Sequence, residues 1–364
     1  MKVAIIGASG FIGTRLIEQY HLGGGPAVAA VVRQPSSLAL PSRFAVETHL
    51  ADGLDVDAMA RAMSGCTAAI HVALGDPVQI ERMPAALCLA AAAADVPRLV
   101  YLSSASVHGQ NPAKGTDEAA VLDPHQELEY NTAKIRAEEK FFAECQRHSI
   151  RPFALRPGVV YGPRSRWIAD LASDLLENRA WLYEGGRGIC NSIYVDNLVH
   201  AITCCLHAAD DAAGVYLVGD EETVTWEQFY RAAALQLDVS WNTVHQLTRL
   251  PEFQRSWQDR AASASAHPFV QRLLPLVPHG LKRGAKAVIA AAAPKARSES
   301  WTLPSGPAPR ITHEMALLQQ CAWKFPHARA TAHLDYRPPV TFTEGMERSF
   351  AWWKFAQGHV PFAA

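Results

Sequence analysis

Short apolar runs alternate with longer helical stretches along the first part of the chain. Residues 2–6 (KVAII), 27–32 (AVAAVV), 68–73 (AAIHVA) and 98–103 (RLVYLS) are nearly unbroken, as in parallel strands buried on both faces. Residues 49–52 close a further strand between the second and third of these. Residues 14–20 and 85–94 read as helices, and the small residues of the latter suit close approach to a sheet. Strand and helix in alternation predict an α/β architecture, a doubly wound parallel sheet that gathers ligands at the carboxyl ends of its strands.

The second half keeps the alternation in shorter pieces. Residues 164–180 read as a helix, 184–188 (EGGRG) as a glycine-rich loop, and 191–195 and 214–219 (GVYLVG) as strands. Within 223–234 a helix starts with Thr225 as its N-cap. Asp196 and Asn197 read as N-caps of a helix running through Cys205, the common use of Asp and Asn ahead of an apolar run. Residues 313–323 and 343–354 are the last helices, the second bringing Phe350, Trp352 and Trp353 to a core. Residues 251–309 fit the pattern least, with an apolar stretch broken by Pro275 and Pro278, followed by Lys282, Arg283 and Lys286. Those prolines interrupt the face that membrane-surface binding needs, so a packed helical hairpin ranks ahead of a membrane contact or a lid over an apolar substrate. Residues 298–309, rich in Ser and Pro, read as a loop.

Length and charge narrow the field. A chain of 364 residues can bury a large core and supports two lobes. Its 34 basic and 35 acidic side chains leave a formal net charge of -1, which gives no electrostatic reason to expect nucleic acid or an anionic membrane as the main partner. The longest apolar run, 85–94, is too short to span a bilayer, and Gly7, Gly10 and Gly13 interrupt the N-terminal run too early for a signal peptide. The seven cysteines are odd in number, scattered and without a Cys-x-x-Cys, so a reduced cytoplasmic location is expected, with the thiols as small apolar filler. No metal site is expected, and a small molecule is the expected partner.

The first strand runs straight into Gly7, Ala8, Ser9, Gly10, Phe11, Ile12 and Gly13, and then into a helix. In that context the first glycine permits a tight turn and the second lets backbone approach a pyrophosphate. The third lets the helix pack on the sheet, with its free N–H groups toward the phosphates. Strand, glycine turn and helix together favour dinucleotide binding over a turn with no ligand. Arg33 stands at the end of the second strand, where an acidic residue would bind the ribose hydroxyls of NAD(H), and no Asp or Glu lies between Glu18 and Glu47. An arginine there suits a 2′-phosphate, so NADP(H) is preferred and NAD(H) is the alternative. Asp52 is placed to reach the adenine amino group or, equally, to make a turn or N-cap.

Tyr130 and Lys134 lie four residues apart on a predicted helix, one turn apart on one face. An ammonium beside a phenol favours the phenolate, so the Tyr130 pKa is expected to fall toward neutrality and allow proton exchange. The spacing alone is weak; its order among the other motifs gives it weight.

Ser103, Ser104, Ala105, Ser106, Val107, His108 and Gly109 follow the fifth strand, and Tyr130 and Lys134 come after them. Arg156, Pro157, Gly158, Val159, Val160, Tyr161, Gly162 and Pro163 follow the sixth, and Ile193 to Leu198 (IYVDNL) comes later. In this order the stretches resemble the extended short-chain dehydrogenase/reductases, a superfamily that includes sugar-nucleotide epimerases, dihydroflavonol reductases and 3β-hydroxysteroid dehydrogenases. The resemblance covers residues 1–235, with a weaker echo at Leu334, Tyr336, Pro338 and 342–346. It implies a Rossmann-like domain over 1–163, to which about 190–220 return, and a smaller mixed substrate lobe over 164–364. It implies that Ser104 hydrogen-bonds the substrate oxygen, Tyr130 is the general acid/base, and Lys134 holds the nicotinamide ribose. Ala73 and the backbone near Pro157 and Val159 would complete the cofactor site, and a homodimer is common in the superfamily. Hydride transfer to a carbonyl develops negative charge on oxygen, which an acidified phenol and a serine hydroxyl answer. An NADP(H)-dependent oxidoreductase is the leading expectation, a sugar-nucleotide epimerase the second, and a non-catalytic NADP sensor the third.

Three departures accompany the resemblance. His108 replaces a usual tyrosine, and no Asn occurs between Asp76 and Tyr101. Ala105 and Ser106 stand where 4,6-dehydratases carry an Asp-Glu pair, which removes the acid and base for eliminating water.

Overall fold

The computed structural model describes residues 1–251, 253 and 308–358. The expected hairpin and most of the Ser/Pro loop within 251–309 fall outside the described residues. In chain order the strands are β1 (Lys2–Ile6), β2 (Ala27–Val32), β3 (Glu47–Leu50), β4 (Ala68–His71), β5 (Arg98–Leu102), β6 (Arg151–Pro157) and β7 (Val159–Tyr161). They continue with β8 (Trp181–Tyr183), β9 (Ile189–Cys190), β10 (Ser192–Tyr194), β11 (Gly214–Val218), β12 (Val224–Thr225) and β13 (His245–Leu247). The helices are α1 (Phe11–Leu22), α2 (Val56–Met63), α3 (Pro77–Ala93), α4 (Glu129–Arg147) and α5 (Arg166–Leu176). After them come α6 (Val195–His207), α7 (Trp226–Leu237), α8 (His313–Leu318), α9 (Ala328–Leu334) and α10 (Phe342–Ala356).

Seven strands make one parallel sheet in the order β11-β6-β5-β4-β1-β2-β3. The chain starts mid-sheet at β1, walks out to β3, then crosses back to β4 and walks the other way. That reversal between β1 and β4 opens the crevice in which doubly wound sheets take their ligands. The fold is Rossmann-like, as the strand pattern predicts. Alternate residues of β1 face opposite layers, following the two-residue period of a strand. Val3 and Ile5 meet Leu16 and Ile17 of α1 and Ile202 of α6, while Ala4 and Ile6 lie in the layer of Leu87 from α3 and Phe141 from α4. The outer strand β3 carries Glu47, paired with Lys2 and His49, so one edge of the sheet is blunted by charge. A third apolar cluster gathers Tyr161, Leu182, Tyr194, Trp226, Phe229 and Phe350 from the later elements. All seven cysteines are free.

Several boundaries differ from expectation, each for a local reason. The second helix expected over 85–94 begins earlier, at Pro77, because Asp76 accepts from the Gln79 N–H as N-cap, and Pro84 is accommodated inside α3. The helix expected over 164–180 ends at Leu176: Asn178 takes a φ of 53° and the N–H groups of Arg179 and Ala180 turn back to the Asp174 carbonyl. That turn releases residues 181–183 as β8. The helix expected over 313–323 stops at Leu318, after which the Gln319 side chain bonds Tyr183 N–H and Trp181 C=O, and the Cys321 carbonyl accepts from Ile189 N–H. Thr225 caps α7 in a full capping box with Gln228, as expected.

Asp196 and Asn197 are not caps. Tyr194 occupies the N-cap of α6, and both polar residues lie inside its first turn, drawn to partners far along the chain. Asp196 accepts from Arg15 Nε and Nη2 at 2.5 and 2.8 Å, while Asn197 donates to Asp220 and exchanges hydrogen bonds with the Val340 backbone. At the other end of α6, buried Arg98 donates to the carbonyls of Cys205 (2.6 Å), Leu206 (3.0 Å) and Ala208 (2.9 Å), satisfying acceptors that a helix terminus leaves open. Arg98→Met keeps much of the volume and strands those carbonyls, so the urea midpoint should fall by the equivalent of about 2–4 kcal/mol. An unchanged midpoint would show that water serves the helix end equally well.

Candidate active site

The turn after β1 is built on two close approaches. Gly7 has φ 91°, and a Cβ there would lie 2.7 Å from the Ala73 backbone nitrogen beyond β4. A Cβ on Gly13 would lie 2.2 Å from the Gly7 carbonyl oxygen, so only glycine lets α1 stand this close to the strand end. The N–H groups of Gly7 and Ala8 bond the Val31 carbonyl of β2 at 3.2 and 3.3 Å. Gly10 is the N-cap of α1 without a side-chain cap, so the N–H groups of the first turn, at Phe11, Ile12 and Gly13, point out of the helix. Gly10 is the exposed residue of this cradle, with Ser9 half-buried beside it. Ala73 is therefore brought into the same crevice as the glycine turn. Arg33 is exposed just past β2, with no ion pair among the described residues. Asp52 makes a turn, one carboxylate oxygen accepting from Leu54 N–H at 2.9 Å.

Ser104 follows β5 and caps a 3₁₀ turn over Ala105–His108. Its Oγ accepts from the Ser106 N–H at 3.2 Å and pairs with the Ser106 hydroxyl at 2.8 Å. Tyr130 and Lys134 occupy the first two turns of α4, with the Ser104 hydroxyl near enough to the Tyr130 phenol to draw its pKa down. Lys134 is buried and donates from Nζ to the Leu102 carbonyl of β5 at 2.9 Å. A reciprocal amide pair, Gln110 Nε2 to Asn131 Oδ1 (3.3 Å) and Asn131 Nδ2 to Gln110 Oε1 (2.7 Å), ties the serine loop to the first turn of α4. The sequence-predicted Ser104, Tyr130 and Lys134 thus meet at the carboxyl edge of the sheet. Pro157 ends β6 and Val159 starts β7 on the same edge, with Val159 N–H bonded to the Asn191 carbonyl at 2.8 Å.

The electrostatics depart from the simple expectation. Burial pushes the Tyr130 phenol up to about 12, the nearby Ser104 hydroxyl draws it down, and Glu314 of α8 adds a smaller upward push. Lys134 does not lower it within the protein itself: Nζ lies 5.8 Å from the centre of the Tyr130 ring and spends a hydrogen bond on Leu102. Burial draws Lys134 down to about 8, opposed by the charge of Glu138 one turn further on.

Glu138 belongs to a buried network that sequence reasoning missed. Arg156 of β6 donates to both Glu138 oxygens, from Nε at 3.1 Å and from Nη2, and its Nη1 meets His108 Nε2 at 3.0 Å. Burial, then the Arg156 charge, hold His108 down to about 4, so it is a neutral acceptor at neutral pH. His108 is therefore more than filler in place of a tyrosine: it links the serine loop to β6, while Glu138 links β6 to α4. The available signal was the continuation of the Tyr130, Lys134 spacing to Glu138 on the same helical face. Among the described residues no His/Cys/Asp/Glu group is arranged to hold a metal ion, and no helix is long and apolar enough to cross a membrane.

Residues 3–219 match the model of the NAD dependent epimerase/dehydratase family. UDP-glucose 4-epimerase of Vibrio cholerae is 25% identical over 251 residues, which cover 65% of this chain and 76% of that protein. A 3beta-hydroxysteroid-dehydrogenase/decarboxylase (isoform 2) of Arabidopsis thaliana is 24% identical over 264 residues, covering 70% of this chain and 41% of that longer relative. The UDP-glucuronic acid 4-epimerase of Bacillus cereus, solved in complex with NAD, shares the fold with a TM-score of 0.68 at 15% identity, over 99% of this chain and 100% of that one. Since the family match spans more than half of the chain and carries the glycine turn, the serine loop and the Tyr130–Lys134 helix, the protein belongs to the NAD dependent epimerase/dehydratase family and is an enzyme of the extended short-chain dehydrogenase/reductase type.

Proposed function

We propose that this enzyme exchanges a hydride between a nicotinamide dinucleotide and a substrate carbon bearing a hydroxyl or carbonyl, with Ser104, Tyr130 and Lys134 as its catalytic set. The observation that carries the proposal is the meeting of Ser104, Tyr130 and buried Lys134 on the same sheet edge as the glycine turn. A dinucleotide suits the residues present, because the space at Gly7 and Gly13 is closed to any side chain and the first turn of α1 offers free donors. Gly7, Ser9, Gly10, Phe11, Ile12 and Gly13 would hold the pyrophosphate, with Ala73, Pro157 and Val159 nearer the nicotinamide and Asp52 nearer the adenine. When bound, the nicotinamide supplies or accepts the hydride. Ser104 takes its two hydrogen bonds from Ser106 as an acceptor, which leaves its own proton for Tyr130 or for the substrate oxygen. Tyr130 delivers its proton to that oxygen as charge builds during reduction, and the Lys134 ammonium would hold the nicotinamide ribose beside it.

Arg33 supports a preference for NADP(H), being an exposed cation at the end of β2 in a stretch free of carboxylates. Net oxidoreduction of a small molecule is the leading reading. Residues 164–364 would mainly serve the substrate, with the third apolar cluster as their core, in a reduced cytoplasmic setting. A second reading, a sugar-nucleotide epimerase, draws support from the similarity to the Vibrio cholerae enzyme. In it the same residues oxidise a ring hydroxyl and then return the hydride to the opposite face. Elimination of water finds no support, since Ala105 has no acid group and Ser106 is spent on Ser104.

Tyr130→Phe should lose on the order of 10²–10⁴ in kcat, the worth of a positioned general acid, while cofactor affinity measured by fluorescence stays close to wild type. Unimpaired turnover would remove Tyr130 from the chemistry. The pH dependence has a definite sign. Reduction needs Tyr130 protonated, which holds up to about 12, and Lys134 charged, which is lost above about 8. Carbonyl reduction should therefore be level near neutrality and decline as pH rises past about 8, whereas a rate climbing through that range would contradict the acid role of Tyr130. Finally, NADPH should bind at least tenfold tighter than NADH, and Arg33→Ala should erase that margin, roughly 1.4 kcal/mol. Equal affinities would move the epimerase reading to first place, with nucleotide sugars as the substrates to assay.

A further inference from the structure

Beside Lys134 lies a small cavity that the catalytic set leaves unexplained. It measures about 20 Å³ and is bounded by His71 at the end of β4, Tyr101 of β5, Lys134 of α4, and Gln79 and Met83 of α3. His71 is 4% exposed, and among the described residues neither ring nitrogen has a hydrogen-bond partner. Aromatic contacts fix the ring in place: it lies 5.4 Å from Tyr101 with 18° between planes, and Tyr101 stacks on Phe141 at 5.0 Å. Burial, and then the Lys134 charge, hold His71 down to about 3. The imidazole is therefore neutral, with one donor and one acceptor nitrogen. Leaving such a group unpaired in a protein interior costs ~1–3 kcal/mol.

Lys134 has the complementary need. Its side chain is equally buried, yet among the described residues its three N–H donors meet only the Leu102 carbonyl. The other groups facing the ammonium are Tyr130 and Glu138 from α4, Tyr101 from β5 and His71 from β4. Both Glu138 oxygens are committed to Arg156, so this carboxylate acts on Lys134 through space only. An internal water needs ~10–15 Å³ and two to four polar partners. A pocket of about 20 Å³ has room for one water. Direct pairing of His71 with Lys134 is absent among the hydrogen bonds of the described residues, which leaves both able to bind a group between them.

We propose that this cavity is a one-water site, in which a buried water accepts from Lys134 Nζ and is held by a ring nitrogen of His71. His71 is then a positioning residue for Lys134. The water keeps the ammonium charged and aimed, and it sits at the end of β4 next to Leu74, which is exposed to solvent. The kinetic consequence rests on the role proposed above for Lys134; the water itself does not.

A crystal structure of the wild-type protein that orders internal waters tests the site directly. The expected result is a water within ~2.7–3.2 Å of both Lys134 Nζ and a His71 ring nitrogen. A dry cavity, or an imidazole bonded directly to Nζ, overturns the proposal. His71→Phe keeps the aromatic stack and removes the nitrogens, so the water should be lost and the alkaline limb of the pH–rate profile should move down by about one pH unit, as Lys134 becomes less basic. His71→Asn, which retains polar atoms, should move the limb back toward wild type. A water lost from His71→Phe with no movement of the limb refutes the positioning role. A wild-type protein that holds the water but turns over no substrate refutes the role of Lys134 and leaves the water site standing, so the two failures are separable.

Discussion

Two clearances that only glycine allows determine where everything else in this enzyme can stand. The Gly13 position touches the Gly7 carbonyl, and the Gly7 position touches the backbone at Ala73. The first pulls α1 onto the end of β1, and the second pulls the end of β4 against the same turn. These are the strands on either side of the reversal in the sheet order, so the crevice is closed by backbone alone. No side chain occupies this floor, which is what a pyrophosphate lying on backbone N–H groups requires. Helix α4, which carries Tyr130 and Lys134, and the serine loop are then mounted on β5 and β6, the next strands along the same edge.

Burial, more than pairing, sets the charges in this site. The Tyr130 phenol is raised and the Lys134 ammonium lowered chiefly because both are withdrawn from water. One effect keeps the tyrosine protonated at neutrality and makes it slower to release that proton; the other leaves the lysine charged at neutrality with little margin. The Glu138–Arg156 pair keeps that margin from shrinking further, by placing a carboxylate one turn from Lys134 and neutralising it with a guanidinium that also reaches His108. A buried ion pair is weak evidence for added stability, because desolvation offsets its attraction. Its value here is positional: one side chain of β6 holds both the serine loop and the tyrosine helix.

What the sequence made legible was whatever has a local period or a local cap. The buried strands, the glycine turn, the Thr225 capping box and the Tyr130, Lys134 spacing all depend on residues within one or two turns of each other. The contacts that escaped are those between distant positions. Arg15 with Asp196, Arg98 with the end of α6, and Arg156 with Glu138 join side chains whose separation along the chain carries no pattern. Asp196 and Asn197 were legible as polar residues at a helix start, but a capping preference says nothing about a guanidinium arriving from α1. The early end of α5 had a signal after all, since Asn178 is a residue type that tolerates the left-handed region that its φ of 53° requires.

Proton balance separates the two functional readings more sharply than the fold does. An epimerase gives back on the second half-reaction the proton that Tyr130 removed on the first, so its active site needs no exchange with water. Net oxidoreduction leaves Tyr130 one proton short or in excess after every turnover, and that proton must cross a buried site. In this molecule the tyrosine neighbours a lysine that borders a small pocket shared with His71, whose ring nitrogens have no partner among the described residues, close to an exposed loop residue, Leu74. A site with no need of proton exchange could fill that pocket with an apolar side chain and avoid burying a polar group that only water can satisfy. A histidine there, neutral and beside the ammonium, instead suits the proton exchange that the net-redox reading proposed above would need, on grounds independent of Arg33.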